Sequence, residues 1–212
     1  MCFSATASFI VGGSLIAAGA VTMRRAGERR ELAFAAVPLL FGIQQIVEGM
    51  LWLSFQYDAA ELQTVMTYLF TMFSHVLWPI YIPFAVGVLE PQPGRRKIMW
   101  GFRLIGIAVS IHLLILITTQ SLVAVTDHHI IYVLPRLYEW PMMLLYIVAT
   151  CLVSIFSSHG LIRLFGTLAL LLFIIAYLFY TAAFFSVWCF FAAILSLMIY
   201  LFFRGRRQGA VT

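Results

Sequence analysis

Long apolar runs broken by short polar segments set the pattern of this chain. A helix needs about 20 apolar residues to cross the hydrocarbon core of a bilayer. Runs of that kind fall at 8–23, 32–55, 62–89, 98–119, 140–156, 161–180 and 182–203, and the pattern predicts a membrane helix at each. The first four are parted by MRRAGERRE, QYDAAE and EPQPGRRK. The fifth follows a long connection, SLVAVTDHHIIYVLPRLYE, whose Pro135 and charges place it outside the hydrocarbon. Residues 161–203 form one apolar stretch too long for a single span, so a tight turn is expected around 180–183. The expected fold class is all-α, a polytopic transmembrane bundle of seven helices in one domain over 1–212, with six or eight spans as the alternatives.

Composition agrees with that pattern. The chain is 63% hydrophobic and 10% charged, where soluble domains are about half apolar and a quarter charged. The net charge of +5 would suit nucleic acid, but the positions of the basic residues give it another meaning. With seven spans and an outward N-terminus, Arg24, Arg25, Arg29, Arg30, Arg95, Arg96, Lys97, Arg163, Arg204, Arg206 and Arg207 all fall on the inner side. Arg103 can snorkel to that side, and of the 13 basic residues Arg136 alone falls outside. Basic loops stay cytoplasmic, so the charges set topology: N-terminus outside, C-terminus in the cytoplasm, in the cell membrane. The expected partner is membrane lipid, and nucleic acid is excluded. The first arginines follow the first apolar run, the order of a membrane helix and not of a cleaved signal peptide. Gly13, Ala17 and Ala20 on the first helix allow close helix approach, for packing or alternatively for a homo-oligomer face.

Inside a membrane span, polar residues carry the information, because an ionised side chain at mid-bilayer costs ~3 kcal/mol on insertion scales. Glu48 is the acidic residue within a span, and Gln44 and Gln45 share its face one turn earlier. Trp52 continues that face, and Gly49 opens room for a neighbour. The third span carries Ser74, His75 and Trp78, followed by Pro79 and Pro83, which predict a kink and freed carbonyls. Ser110 and His112 lie on the fourth span, Tyr177 on the sixth, and Ser186 and Cys189 on the seventh. Tyr146 and Cys151, on the fifth, read as packing residues. Asp127, His128 and His129 form a run of ligand-type residues in the outer loop, and Cys2 and Ser4 lie at the same surface, where they would plug the bundle. Glu48 lies about 10 Å below Phe55 by helical rise, so the expected site faces outward.

A carboxyl group in hydrocarbon is either protonated or balanced by a histidinium or a metal. Glu48 and His75 are therefore the candidate catalytic pair, and Glu48, His75, His112 and His129 the candidate ligands of a divalent transition metal such as zinc. Gln44, Gln45, Trp52, Ser74, Trp78, Cys189 and Cys2 are the candidate ligand-binding residues. The chemistry first expected is metal-assisted hydrolysis of a lipid or other amphiphile, with the metal lowering the pKa of water. The alternatives are a proton-coupled or small-solute transporter or sensor, and an accessory subunit in which a Gln–Glu–His network only fixes packing. A retinal Schiff base is excluded, because the sole lysine, Lys97, lies in a loop. Walker, GxGxxG, nucleophile-elbow, HExxH and CxxCH motifs are absent, and Cys2, Cys151 and Cys189 have no CxxC spacing.

Seven helices with an outward N-terminus resemble the architecture of the alkaline ceramidase and adiponectin-receptor superfamily. That likeness implies a zinc ion held by histidines and hydrolysis of a lipid amide, although SVWC stands here where the superfamily carries HxxxH in its last helix. The segments MCFSATASF, ELAFAAVPLLFGIQQIVEG, HVLWP and SVWCFFAA are similar to an uncharacterised bacterial membrane-protein family beginning Met-Cys-Phe-Ser, which implies location and fold.

Overall fold

A computed structural model describes residues 4–127, 129–133, 139–180 and 183–209. Six helices are long and apolar enough to cross a membrane: α1 Ala5–Arg25, α2 Arg29–Gln56, α3 Ala60–Leu89, α4 Pro93–Thr119, α6 Gly160–Phe179 and α7 Phe184–Arg204. A shorter apolar helix, α5 Trp140–Ile155, runs between α4 and α6. The last helix continues to Gly209. These are the elements of a multi-pass membrane protein, and each lies on one of the apolar runs. The turn expected at 180–183 falls between the end of α6 and the start of α7, partly outside the described residues.

Neighbouring helices run antiparallel, so the molecule has two ends. At the basic end, Arg25 lies 4.8 Å over the Tyr200 ring and Arg95 donates to the Phe156 carbonyl at 3.1 Å. Glu31 closes the start of α2 by accepting the Gly27 and Glu28 backbone N–H groups, at 2.8 and 3.4 Å. At the opposite end, Asp58 takes the left-handed conformation, φ 49°, in the tight turn between α2 and α3. A short polar side chain tolerates that backbone better than most residues do.

The connection after α4 is more than the polar loop expected. It contains a hairpin, β1 Val123–Asp127 paired antiparallel with β2 His129–Val133. Leu122, Ala124, Ile130 and Tyr132 are buried against the bundle, an alternation written in the sequence as VAVT and HIIYV. Gln63 donates to the Ala124 carbonyl, and Tyr132 stacks on Phe70 with centroids 4.7 Å apart, which fixes the hairpin over α3.

The small residues of α1 do their work one position away from the expected face. Gly13, Ala17 and Ala20 point outward. Gly12 and Gly19 instead meet α2, where an added Cβ would come within 3.0 Å of the Gly42 carbonyl and 2.5 Å of the Leu39 nitrogen. The buried face of α1 follows Ser8, Gly12, Leu15, Gly19 and Thr22, a helical repeat in which Gly13 has no place.

Candidate functional site

The third span supplies the frame of the site. Between Met72 and Leu77 its turns widen from α to π geometry. The backbone N–H of Trp78 bonds to the Phe73 carbonyl, five residues back. The Ser74 carbonyl thereby loses its i+4 donor, and the i+5 donor is missing because residue 79 is proline. An unpaired carbonyl inside a membrane is costly, so a side chain must answer it. The Tyr146 hydroxyl of α5 does so. The Ser110 hydroxyl of α4 donates to the Val76 carbonyl at 2.7 Å in the same segment. One turn on, Pro83 leaves the Pro79 carbonyl without its helical donor, and Gly106 of α4 packs directly on that oxygen. Tyr146 is therefore more than a packing residue. The signal was present in the two prolines, which announce freed carbonyls without saying which hydroxyl takes them.

Against this frame lies the polar face of α2. Gln44, Gln45 and Glu48 are fully buried, and so are Ser74, His75 and Ser186 to within 1%. The Ser186 hydroxyl of α7 donates to Glu48 Oε1 at 2.6 Å, and Gln45 Nε2 donates to Glu48 Oε2 at 3.2 Å. Trp78 donates its indole N–H to Gln44 Oε1 at 2.7 Å while stacking on Phe41 with centroids 3.9 Å apart. The Gln44 side chain also lies beside the Cys189 thiol, but its Nε2 has no partner in hydrogen-bond geometry among the described residues. His75 places Nδ1 at 2.7 Å from the Ser74 hydroxyl and stacks on Phe185 at 4.2 Å. Phe185 and Ser186 are adjacent on α7, so one turn of that helix touches both the imidazole and the carboxyl group. The expected grouping of Gln44, Gln45, Glu48, Ser74, His75, Trp78 and Cys189 thus forms one buried patch.

Three expected members, His112, His129 and Trp52, lie outside that grouping. His112 is exposed on the outer face of α4. It lies two residues from Ser110, and a two-residue step turns a helical side chain to the far side. His129 belongs to the hairpin and meets the Tyr180 ring edge-on at 5.3 Å. Cys2 and His128 lie outside the described residues. Trp52, one turn beyond Glu48, lines a depression of about 350 Å3 with Ser4, Ala5, Phe55 and Gln56. Among the described residues, no group of three or more His, Cys, Asp and Glu side chains is placed to hold a metal ion. The four-residue set expected for zinc does not assemble.

The patch is also covered at the hairpin end. Leu51, Phe70, Ile130, Tyr132 and Cys189 form one apolar cluster there. On its other flank is a cavity of about 30 Å3, lined by Trp78, Tyr146, Thr150, Cys151, Trp188 and Cys189 among others. One water needs roughly 10–15 Å3 of such space, so one or two waters fit and a lipid headgroup does not. Thr150 and Cys151 come from a second π-helical segment, Val148–Leu152 of α5, so wide turns flank the cavity on two spans. Such turns recur at functional sites because they break the regular backbone ladder.

Over its full length, residues 1–212, the chain matches the family described as a family of unknown function, DUF6629. The chain belongs to that family. No curated protein and no solved structure matches it. The family brings no activity with it, so the chemistry of this DUF6629 protein has to be argued from the patch itself.

Proposed function

We propose that this protein is a proton-linked transporter or sensor of the cell membrane, with its N-terminus outside, its C-terminus in the cytoplasm, and Glu48 as the group that takes up and returns the proton. The orientation rests on the basic residues, which gather at the end holding the α1–α2, α3–α4 and α5–α6 connections.

The observation that carries the functional reading is the chemistry of the groups holding Glu48. The Ser186 hydroxyl and the Gln45 amide are neutral, and both can exchange donor for acceptor by a rotation or a flip. These two donors can serve a carboxylate and a carboxylic acid alike. Trp78 and Cys189 of the patch also border the small cavity, which has the volume of one or two waters behind mostly apolar walls. The wide turn of α3 is the element that would respond. Closing it to regular α geometry moves the register by one residue and turns the Ser74–His75 step by about 100° relative to the rest of the helix. The bonds from Tyr146 and Ser110 hold it open. Metal-assisted hydrolysis of an amphiphile is less well supported, because the ligand set is dispersed and the cavity takes only water-sized molecules.

Tryptophan fluorescence across pH tests this directly, since Trp78 is bonded to the polar face of α2. Wild-type protein in lipid nanodiscs should show a single-proton transition that Glu48→Gln abolishes while keeping its helicity and unfolding midpoint. An identical transition in both proteins would end the proposal. A flat response in both, with Glu48→Gln merely less stable, would make the patch a packing network.

A further inference from the structure

Away from Glu48, α1 and α7 border an open groove of about 530 Å3. Ala17, Ala18 and Val21 form one wall, and Leu197, Met198 and Leu201 the other. Its volume is on the scale of a ligand pocket, and its walls are apolar. Helical spacing sets what stands at its mouth. Arg24 and Arg25 follow Val21 by three and four residues, and Arg204 follows Leu201 by three and Tyr200 by four. Tyr200 also lines the groove, and the Arg25 guanidinium lies 4.8 Å over its ring. Arg24 and Arg204 are exposed. The nearby acid Glu28 is engaged by Arg30 at 2.6 Å, which leaves it poorly placed to neutralise these three.

We propose that this groove is a binding site for one anionic phospholipid, with an acyl chain along the α1–α7 groove and the phosphate among Arg24, Arg25 and Arg204. Hydrocarbon wall and guanidinium cluster are stacked in the order that chain and headgroup have in a membrane leaflet. Ala17 and Ala18 are small and lie off the fully buried face of α1, which leaves the space that a chain fills. Guanidinium groups bind phosphate through paired N–H donors. The occupant is therefore a phospholipid with a net negative head, such as phosphatidylglycerol, and the site is independent of the protonation of Glu48.

The test uses full-length protein in vesicles of equal phosphatidylcholine and phosphatidylglycerol, extracted in mild detergent, with retained lipid counted by mass spectrometry. Each basic residue near an anionic surface is worth about a fivefold change in partition, so wild-type protein should retain phosphatidylglycerol at least about tenfold over phosphatidylcholine. The pair Arg25→Gln and Arg204→Gln should lower that ratio at least about fivefold, with Arg24 left in place, and Ala18→Phe should lower retention of both lipids. Should the double variant fail to fold, 1 M salt on wild-type protein should collapse the ratio in its place. Equal retention by wild type, or an undiminished ratio in the double variant or in salt, overturns the proposal. So does a dimer that cross-links through Ala17→Cys, because a second chain would then occupy the groove.

Discussion

Glu48 and Glu90 are both buried carboxyl groups, 0% and 2% exposed, but they are held by different kinds of donor. Glu90 follows α3 at the basic end and accepts the backbone N–H groups of Ser158 at 2.8 Å and Gln92 at 3.3 Å. The Ser158 hydroxyl donates to Oε1, the oxygen that also accepts from Gln92, and His159 lies close by. Burial pushes the Glu90 carboxyl up. The hydrogen bonds from Ser158 and Gln92, together with His159, outweigh burial and hold it below the usual carboxylate range. A backbone N–H can only donate, so this cradle fits the ionised form. Glu48 is held by a hydroxyl and a carboxamide that can each reverse their role. Two equally buried acids therefore differ in what their surroundings favour. Glu90 is a clamp joining the α3–α4 connection to the α5–α6 turn, while Glu48 is bonded by side chains of α2 and α7.

The largest effect should come from breaking the frame on the Glu48 side alone. A Cβ at Gly106 would stand 1.8 Å from the Pro79 carbonyl oxygen, which belongs to backbone and cannot swing aside. Overpacking typically costs 1–3 kcal/mol, and a collision with backbone should exceed that range, so Gly106→Val is expected to lose more than about 3 kcal/mol. Yield of folded protein and the unfolding midpoint measure it. A midpoint equal to that of wild type would mean that α3 and α4 do not approach this closely.

Next in size is the clamp. Removing a buried acceptor from donors that need it costs about 1–3 kcal/mol, so Glu90→Ala should fall in that range. The pH dependence has a definite sign. The folded-state pKa of Glu90 is depressed, so its stabilisation is fully present above the unfolded carboxylate value and is lost as pH falls through the folded one. Stability of wild-type protein should therefore decline on acidification below the ordinary carboxylate range, and Glu90→Gln should flatten that part of the curve. A curve of unchanged slope in Glu90→Gln would assign the decline to other groups.

The apolar runs disclosed the helices because hydrocarbon length is a one-dimensional requirement that each segment meets by itself. The polar face of α2 was equally readable, since Gln44, Gln45 and Glu48 share a face by spacing alone. What spacing could not supply was the partner across a helix interface. His112 matches His75 in residue type, yet the rotation of α4 turns Ser110 inward and His112 outward. Glu90 was read as part of a loop, because its donors come from Ser158, 68 residues away. The hairpin was hidden by the charges at its tip, although its alternation of apolar residues was legible. Tyr146 reads as packing by sequence because nothing in its own neighbourhood shows that a carbonyl of another helix needs a donor.

Ser110 and His112 allow the finest discrimination, because they lie two residues apart on one helix and differ only in what they face. If the wide turn of α3 depends on hydroxyls answering its carbonyls, Ser110→Ala removes the hydroxyl bond to the Val76 oxygen and should cost about 1 kcal/mol. His112→Leu removes an exposed imidazole from a surface that touches lipid and should change stability by less than about 0.5 kcal/mol. Both are read as shifts of the unfolding midpoint in the same lipid, with the Glu48-dependent fluorescence transition followed alongside. Ser110→Ala should perturb that transition, because the turn it supports carries Ser74 and His75. His112→Leu should leave it as in wild type, and a loss of the transition there would return His112 to the working site and remove the argument that facing, not residue type, decides membership.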